Sequence, residues 1–190
     1  MPGKTYERVY ELAVDQFGYF TTAQALEVGA TRQSLEMMVK RDKAERVSHG
    51  VYRVNAIPVT RFDPYMEATL WPGRQRGVLS HETALELYEI SDVNPDKIHV
   101  TVPRRFRTHR TVPSMYVLHH ADLDAHEVSS FEGIPTTTAM RAIQDCHRTH
   151  LGQALLEQAI EDGFKRGLLT RIEADELRED CSSVAAPVVP

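Results

Sequence analysis

Arg32, Gln33 and Ser34 follow Thr31 without a gap, and their side chains carry hydrogen-bonding patterns that complement base edges. An arginine fork pairs with guanine, a glutamine amide with adenine, and a hydroxyl with either. Beyond them stand Lys40, Arg41, Arg46 and Arg53, with His49 between the last two, groups able to grip phosphates at a strength set by salt. Thr31, Arg32, Gln33, Ser34, Lys40, Arg41, Arg46, His49 and Arg53 are therefore the candidate contacts to double-stranded DNA. Glu36, one turn before Lys40, reads as its solvated partner rather than as an acceptor for cytosine.

A second set of residues invites a different chemistry. His81-Glu82, His119-His120, Asp122, Asp124, His126, His147 and His150 are types that ligate metals or carry protons. Their spacing matches no catalytic or metal motif. There is no HExxH, no paired CxxC, no glycine-rich phosphate loop with its lysine and no GxSxG, and Asp122-Leu123-Asp124 lacks the preceding Gly-Ser of a nucleotidyltransferase site. His81 reads as a structural or surface histidine in the first turn of a helix. No catalytic residue, metal ligand or cofactor is expected, and the chain is not expected to be an enzyme.

The base-reading side chains need elements to hold them. Tyr6, Val9, Tyr10, Leu12, Ala13 and Phe17 recur at helical spacing, and Gly18 ends the pattern. Thr21 or Thr22 caps a short second helix with Ala23, Leu26 and Val28 inward, and Gly29-Ala30 makes the turn. Thr31 caps a third helix by accepting from the amide of Gln33 or Ser34, with Leu35, Met38 and Val39 as its inward stripe. Val47, Val51, Tyr52 and Val54 bracket Ser48-His49-Gly50, with Arg46 and Arg53 at the base of the hairpin. Three helices and a hairpin in this order predict a winged helix-turn-helix over 1–56. That unit aims a helix N-terminus at a major groove and a basic hairpin at the flanking phosphates.

The chain has 190 residues, 42% hydrophobic and 26% charged, enough for two small domains. Its net charge of −5 speaks against DNA only if charge is spread evenly, since screening separates faces more than about 8–10 Å apart. The charge is uneven. Residues 31–54 hold six basic against three acidic side chains, whereas residues 121–190 hold thirteen carboxylates against six cations. Cys146 and Cys181, one in a helix and one in a polar tail, suggest neither a disulfide framework nor a thiolate metal site. No apolar run approaches the roughly 18 residues of a membrane span, and the start Met-Pro-Gly-Lys-Thr lacks the apolar core of a secretory signal. A cytoplasmic protein without a membrane partner is expected.

From Asn55 to Asp63 the pattern lapses, and a second, mixed α/β domain is expected over 63–180, followed by a disordered tail over 181–190. Tyr65–Trp71 reads as a helix. Ser80, with Thr83, caps another that buries Ala84, Leu85, Leu87 and Tyr88. Ile98–Val102 and Met115–His119 read as strands, Thr138 or one of its neighbours caps a helix with Ala139, Ile143 and Cys146, and Leu151 to Leu169 supplies a helical pair. The fold class is thus α+β, a winged helix-turn-helix followed by a mixed α/β domain. After the first strand comes Arg104-Arg105-Phe106-Arg107-Thr108-His109-Arg110. Arg104, Arg105, Arg107 and Arg110 are candidates for further nucleic-acid or partner contacts, or for a solvated loop.

Several segments resemble a known family. Phe20–Ala25, Thr31–Leu35 and Arg46–Val54 in the first part, then Leu79–Leu87, Ile98–Pro103 and Gly133–Asp145 in the second, are similar in order and content to the AbiEi-type antitoxin and transcriptional regulator family of bacterial abortive-infection toxin–antitoxin systems. The resemblance implies a repressor that binds repeats in its own promoter. It also implies a C-terminal domain that helps to neutralise a nucleotidyltransferase-like toxin encoded beside it. The alternatives are a winged-helix regulator whose second domain senses a small ligand, which needs a concave polar pocket, and a nuclease, which needs clustered carboxylates around a divalent ion.

Overall fold

The computed structural model describes residues 2–73 and 76–182. The chain divides into two compact units, one running to Gly77 and including Glu132–Ile134, the other taking Val78–Phe131 and the chain from Pro135 onward. The division falls beyond the expected break between 56 and 63. Helix α4 (Asp63–Leu70) belongs with the first unit because Asp63 is ion-paired with Arg53 and Phe62 packs its ring on Phe17.

In the first unit, α1 (Pro2–Val14) presents Val9 and Ala13 to the core and ends where Phe17 and Gly18 turn left-handed. Strand β1 (Tyr19–Thr21) follows, then α2 (Thr22–Glu27), α3 (Arg32–Lys40), β2 (Ala44–Ser48) and β3 (Val51–Val54). The sheet order is β1-β3-β2, antiparallel throughout, so the hairpin's second strand is the central one. Thr21 caps α2 in a box with Gln24. That start turns Ala25 inward and leaves Leu26 at 42% exposure, so Leu26 is not the inward residue expected and Ala25 with Ala30 takes its place. On α3 the buried pair is Leu35 and Met38, while Val39 lies outward at 38% exposure. The hairpin tip is tied down as well, with the Thr22 amide donating to the Gly50 carbonyl at 2.8 Å.

In the second unit a mixed sheet has the order β6-β5-β4-β8-β7, from β4 (Val78–Leu79), β5 (Ile98–Val102), β6 (Tyr116–His120), β7 (Val128–Phe131) and β8 (Ile134–Thr137). β4 runs antiparallel to β5 and parallel to β8, and β5 runs parallel to β6. The short strands β1, β4, β7 and β8 were not expected, and β6 starts one residue later than its apolar run. Helices α5 (His81–Tyr88), α6 (Ala139–Arg148), α7 (Gln153–Lys165) and α8 (Arg171–Ser182) pack a core that includes Leu85, Ile143, Leu156, Ile160 and Leu177. Thr138 caps α6 as expected, accepting from the Arg141 amide. Ser80 stands at the N-cap of α5 but makes no side-chain cap bond there. Between 151 and 169, where a helical pair was expected, stands the single helix α7; α8 begins only at Arg171 and carries helix past Cys181. Cys181 is 4% exposed against that core and not in a tail; of the expected tail, 183–190 lies outside the described residues.

Candidate nucleic-acid interface

Thr31 and Ser34 fix the start of α3 between them. The Thr31 hydroxyl accepts from the Ser34 amide at 3.0 Å, and the Ser34 hydroxyl accepts from the Thr31 amide at 2.8 Å while donating to the Thr31 carbonyl at 2.7 Å. A serine here reproduces the reciprocal box usually closed by Glu or Gln. The hydroxyl proposed as a base reader is thus occupied in holding the helix end. Arg32 and Gln33 project from that end into solvent, and Glu36, Met37, Lys40 and Arg41 are exposed along the same helix. The end carries the partial positive charge of unpaired amides, which favours an approaching phosphate.

The wing is narrower in its cationic content than its sequence suggests. Arg46 is exposed at the bulge between Arg46 and Ser48, and its Nη2 lies 3.2 Å from Nδ1 of the exposed His49. Arg53, expected as a phosphate contact, is instead 6% exposed. Its Nε donates to Asp63 Oδ2 at 3.0 Å and its Nη2 to the Ile57 carbonyl at 2.6 Å. The cause is the chain that follows the hairpin: Ile57 and Asp63 cover the side of β3, the central strand, from which Arg53 projects. Lys43 is exposed, with its Nζ 4.5 Å from the Tyr6 ring centroid. Arg32, Lys40, Arg41, Lys43 and Arg46 are exposed cations of this unit's α3-to-wing segment.

In the second unit the basic run is a loop folded on Phe106, which is 6% exposed. Arg107 donates to the carbonyls of Arg104 and Phe106, and the Arg104 amide donates to Asp122 at 3.0 Å. Arg104 and Arg105 are the members whose side chains project with Arg107 on the exposed side, while Arg110 is half-buried.

Residues 7–55 match the AbiEi antitoxin family of transcriptional regulators. The AbiEi match covers about a quarter of the chain and takes in α1 through β3, the winged helix whose exposed face is described above. Among curated proteins the sequence finds no match. Among solved structures, the RV2827C protein from Mycobacterium tuberculosis is similar, with 12% identity and a TM-score of 0.47 over 98% of this chain and 83% of that one. No helix among the described residues is long and apolar enough to cross a membrane.

One arrangement was not legible as a site in the sequence. His81, His99 and His119 bring ring nitrogens within 4.8 Å of one another. Burial first, then the neighbouring rings of His119 and His99, pushes His81 down to about 3; burial likewise lowers His99, and it lowers His119 to about 4. All three are neutral imidazoles at pH 7. They are 18 and 20 residues apart, a spacing that no motif records, and only strand register unites them.

Proposed function

We propose that this protein is a DNA-binding transcriptional repressor and the antitoxin of a toxin–antitoxin pair. The observation that carries the reading is the exposed N-terminal end of α3, where Arg32 and Gln33 project from a helix start fixed by Thr31 and Ser34, within the segment that matches the AbiEi family. Arg32 and Gln33 read base edges in a major groove, and Lys40, Arg41, Arg46 and His49 contact phosphates. Thr31 and Ser34 contribute by seating the helix, and Arg53 contributes through the stability of the wing.

Repression acts by occupancy: the winged helix binds repeats in the protein's own promoter and excludes polymerase, in the cytoplasm and without a cofactor. The second unit counteracts a nucleotidyltransferase-like toxin, and its exposed Arg104 and Arg105 are proposed as partner or additional nucleic-acid contacts. No catalytic role is assigned.

The test is an electrophoretic mobility shift on the gene's own upstream region against a scrambled duplex of equal length, at two salt concentrations. Selective, salt-sensitive binding is expected. Equal affinity for both duplexes would remove the repressor reading and leave the winged helix as a docking module.

A further inference from the structure

We propose that His81, His99 and His119 bind a single divalent transition-metal ion of the zinc type. The fold converges on this point from three elements. Strands β5 and β6 are parallel neighbours with His99 opposite Val117 and Thr101 opposite His119, so His99, Thr101 and His119 stand on one face of the sheet. Strand β4 runs antiparallel to β5 with Leu79 opposite Val100, and the Ser80 amide extends the ladder by donating to the His99 carbonyl at 3.1 Å. The next residue, His81, is thereby delivered beside His99.

The distances suit an ion. Nε2 of His119 and Nδ1 of His99 are 3.3 Å apart, long for a hydrogen bond. Two nitrogens bound tetrahedrally to one zinc at the usual bond length stand about 3.3–3.4 Å apart, so this pair already spans one edge of a coordination tetrahedron. His81 is oriented from behind: its Nδ1 lies 2.9 Å from the Ser80 hydroxyl, which accepts from the Thr101 hydroxyl at 2.8 Å. In the tautomer whose Nδ1–H donates to Ser80, the lone pair is on Nε2, the arrangement by which outer partners fix a ligating histidine.

The backbone of His81 is left-handed, φ 52°, at the first residue of α5. Side-chain-bearing residues rarely hold that conformation, and it gathers at functional sites. Ser80 and Thr101 are sealed while His99 and His119 are only partly buried, so the site has a closed floor and an open mouth that leaves a fourth position to water. An all-imidazole set selects zinc, copper or nickel over magnesium or calcium. His81 and His119 are stacked at 16° with centroids 3.5 Å apart, so loading the ion fans these rings apart.

The test titrates metal-stripped full-length protein with Zn²⁺ alone by calorimetry, with Co²⁺ as the optical probe. One ion per chain is expected, with Co²⁺ giving tetrahedral bands. H99Q and H119Q are each expected to weaken Zn²⁺ binding at least about tenfold, and H120Q and H126Q to leave it unchanged. X-ray absorption on the unmutated protein, which needs no variant to fold, is expected to show three imidazole nitrogens at about 2.0–2.1 Å. No binding, binding indifferent to H99Q and H119Q, or a shell with fewer than three imidazoles would each overturn the assignment. The DNA-binding reading stands or falls independently of this outcome.

Discussion

Arg53 and Asp63 form an ion pair buried on both sides, Nε to Oδ2 at 3.0 Å, with side-chain exposures of 7% and 5%. It joins the central strand of the wing sheet to the first residue of α4. Asp63 Oδ1 meanwhile accepts from the amide and hydroxyl of Thr60, so both carboxylate oxygens are partnered.

Removing one member strands a charge in the interior, so Arg53→Ala and Asp63→Ala are each expected to cost about 3–5 kcal/mol. Urea titration of the variants measures this. Folded Arg53→Ala is expected to keep the parent's salt slope on DNA, because its guanidinium does not reach the surface.

Arg32 and Arg46 are expected to fail differently. Arg32→Ala weakens operator binding by about 1–3 kcal/mol and relaxes the choice at one base pair. Arg46→Ala weakens every duplex alike and lowers the salt slope by about one. Fluorescence anisotropy on operator and random duplexes over a salt series separates the two, and identical behaviour of both variants would remove α3 from the reading role.

Sequence and structure part company at identifiable places. Helices with strong periodicity, the Thr31 and Thr138 caps and strand Ile98–Val102 were all legible, because each depends on local spacing or on side-chain-to-amide contacts within one turn. Arg53 was misread because Ile57 and Asp63, which cover it, lie beyond the hairpin, where the sequence pattern lapses. Without them, the arginine of β3 looks like a surface cation. The histidine cluster failed for the same reason at longer range: β4 has two residues, yet its register is what sets His81 beside His99. Ser34 and Ser80 exchanged roles, the first closing a cap expected of Thr31 alone, the second leaving its cap for Thr101 and His81.

Both thiols are expected to resist modification in the native protein. Burial raises Cys146 and Cys181 above the ordinary thiol value, and their exposures are 0% and 4%, so little thiolate is present or reachable at neutral pH. Ellman's reagent is expected to titrate both only after denaturation. Prompt reaction of one thiol in the native state would contradict the packing of α8.

Acid is expected to weaken the second unit through Glu127. The Asp124 amide, donating at 2.8 Å, and the Arg141 guanidinium, at 2.5 Å, hold its carboxyl below the usual range. The unfolded chain therefore binds this proton more readily than the folded one. The contribution is complete above the ordinary carboxylate range and is lost as pH falls through the lowered folded value. Denaturation midpoints between pH 6 and pH 3 are expected to fall more steeply in the parent than in Glu127→Gln.

The bond from the Thr22 amide to the Gly50 carbonyl has a consequence for the thermodynamics of recognition. It anchors the hairpin tip to the first turn of α2, so the wing and the helix pair form one preassembled body. Little conformational entropy is then surrendered on contact with a duplex, and the heat capacity change of complex formation should reflect the buried interface rather than coupled folding.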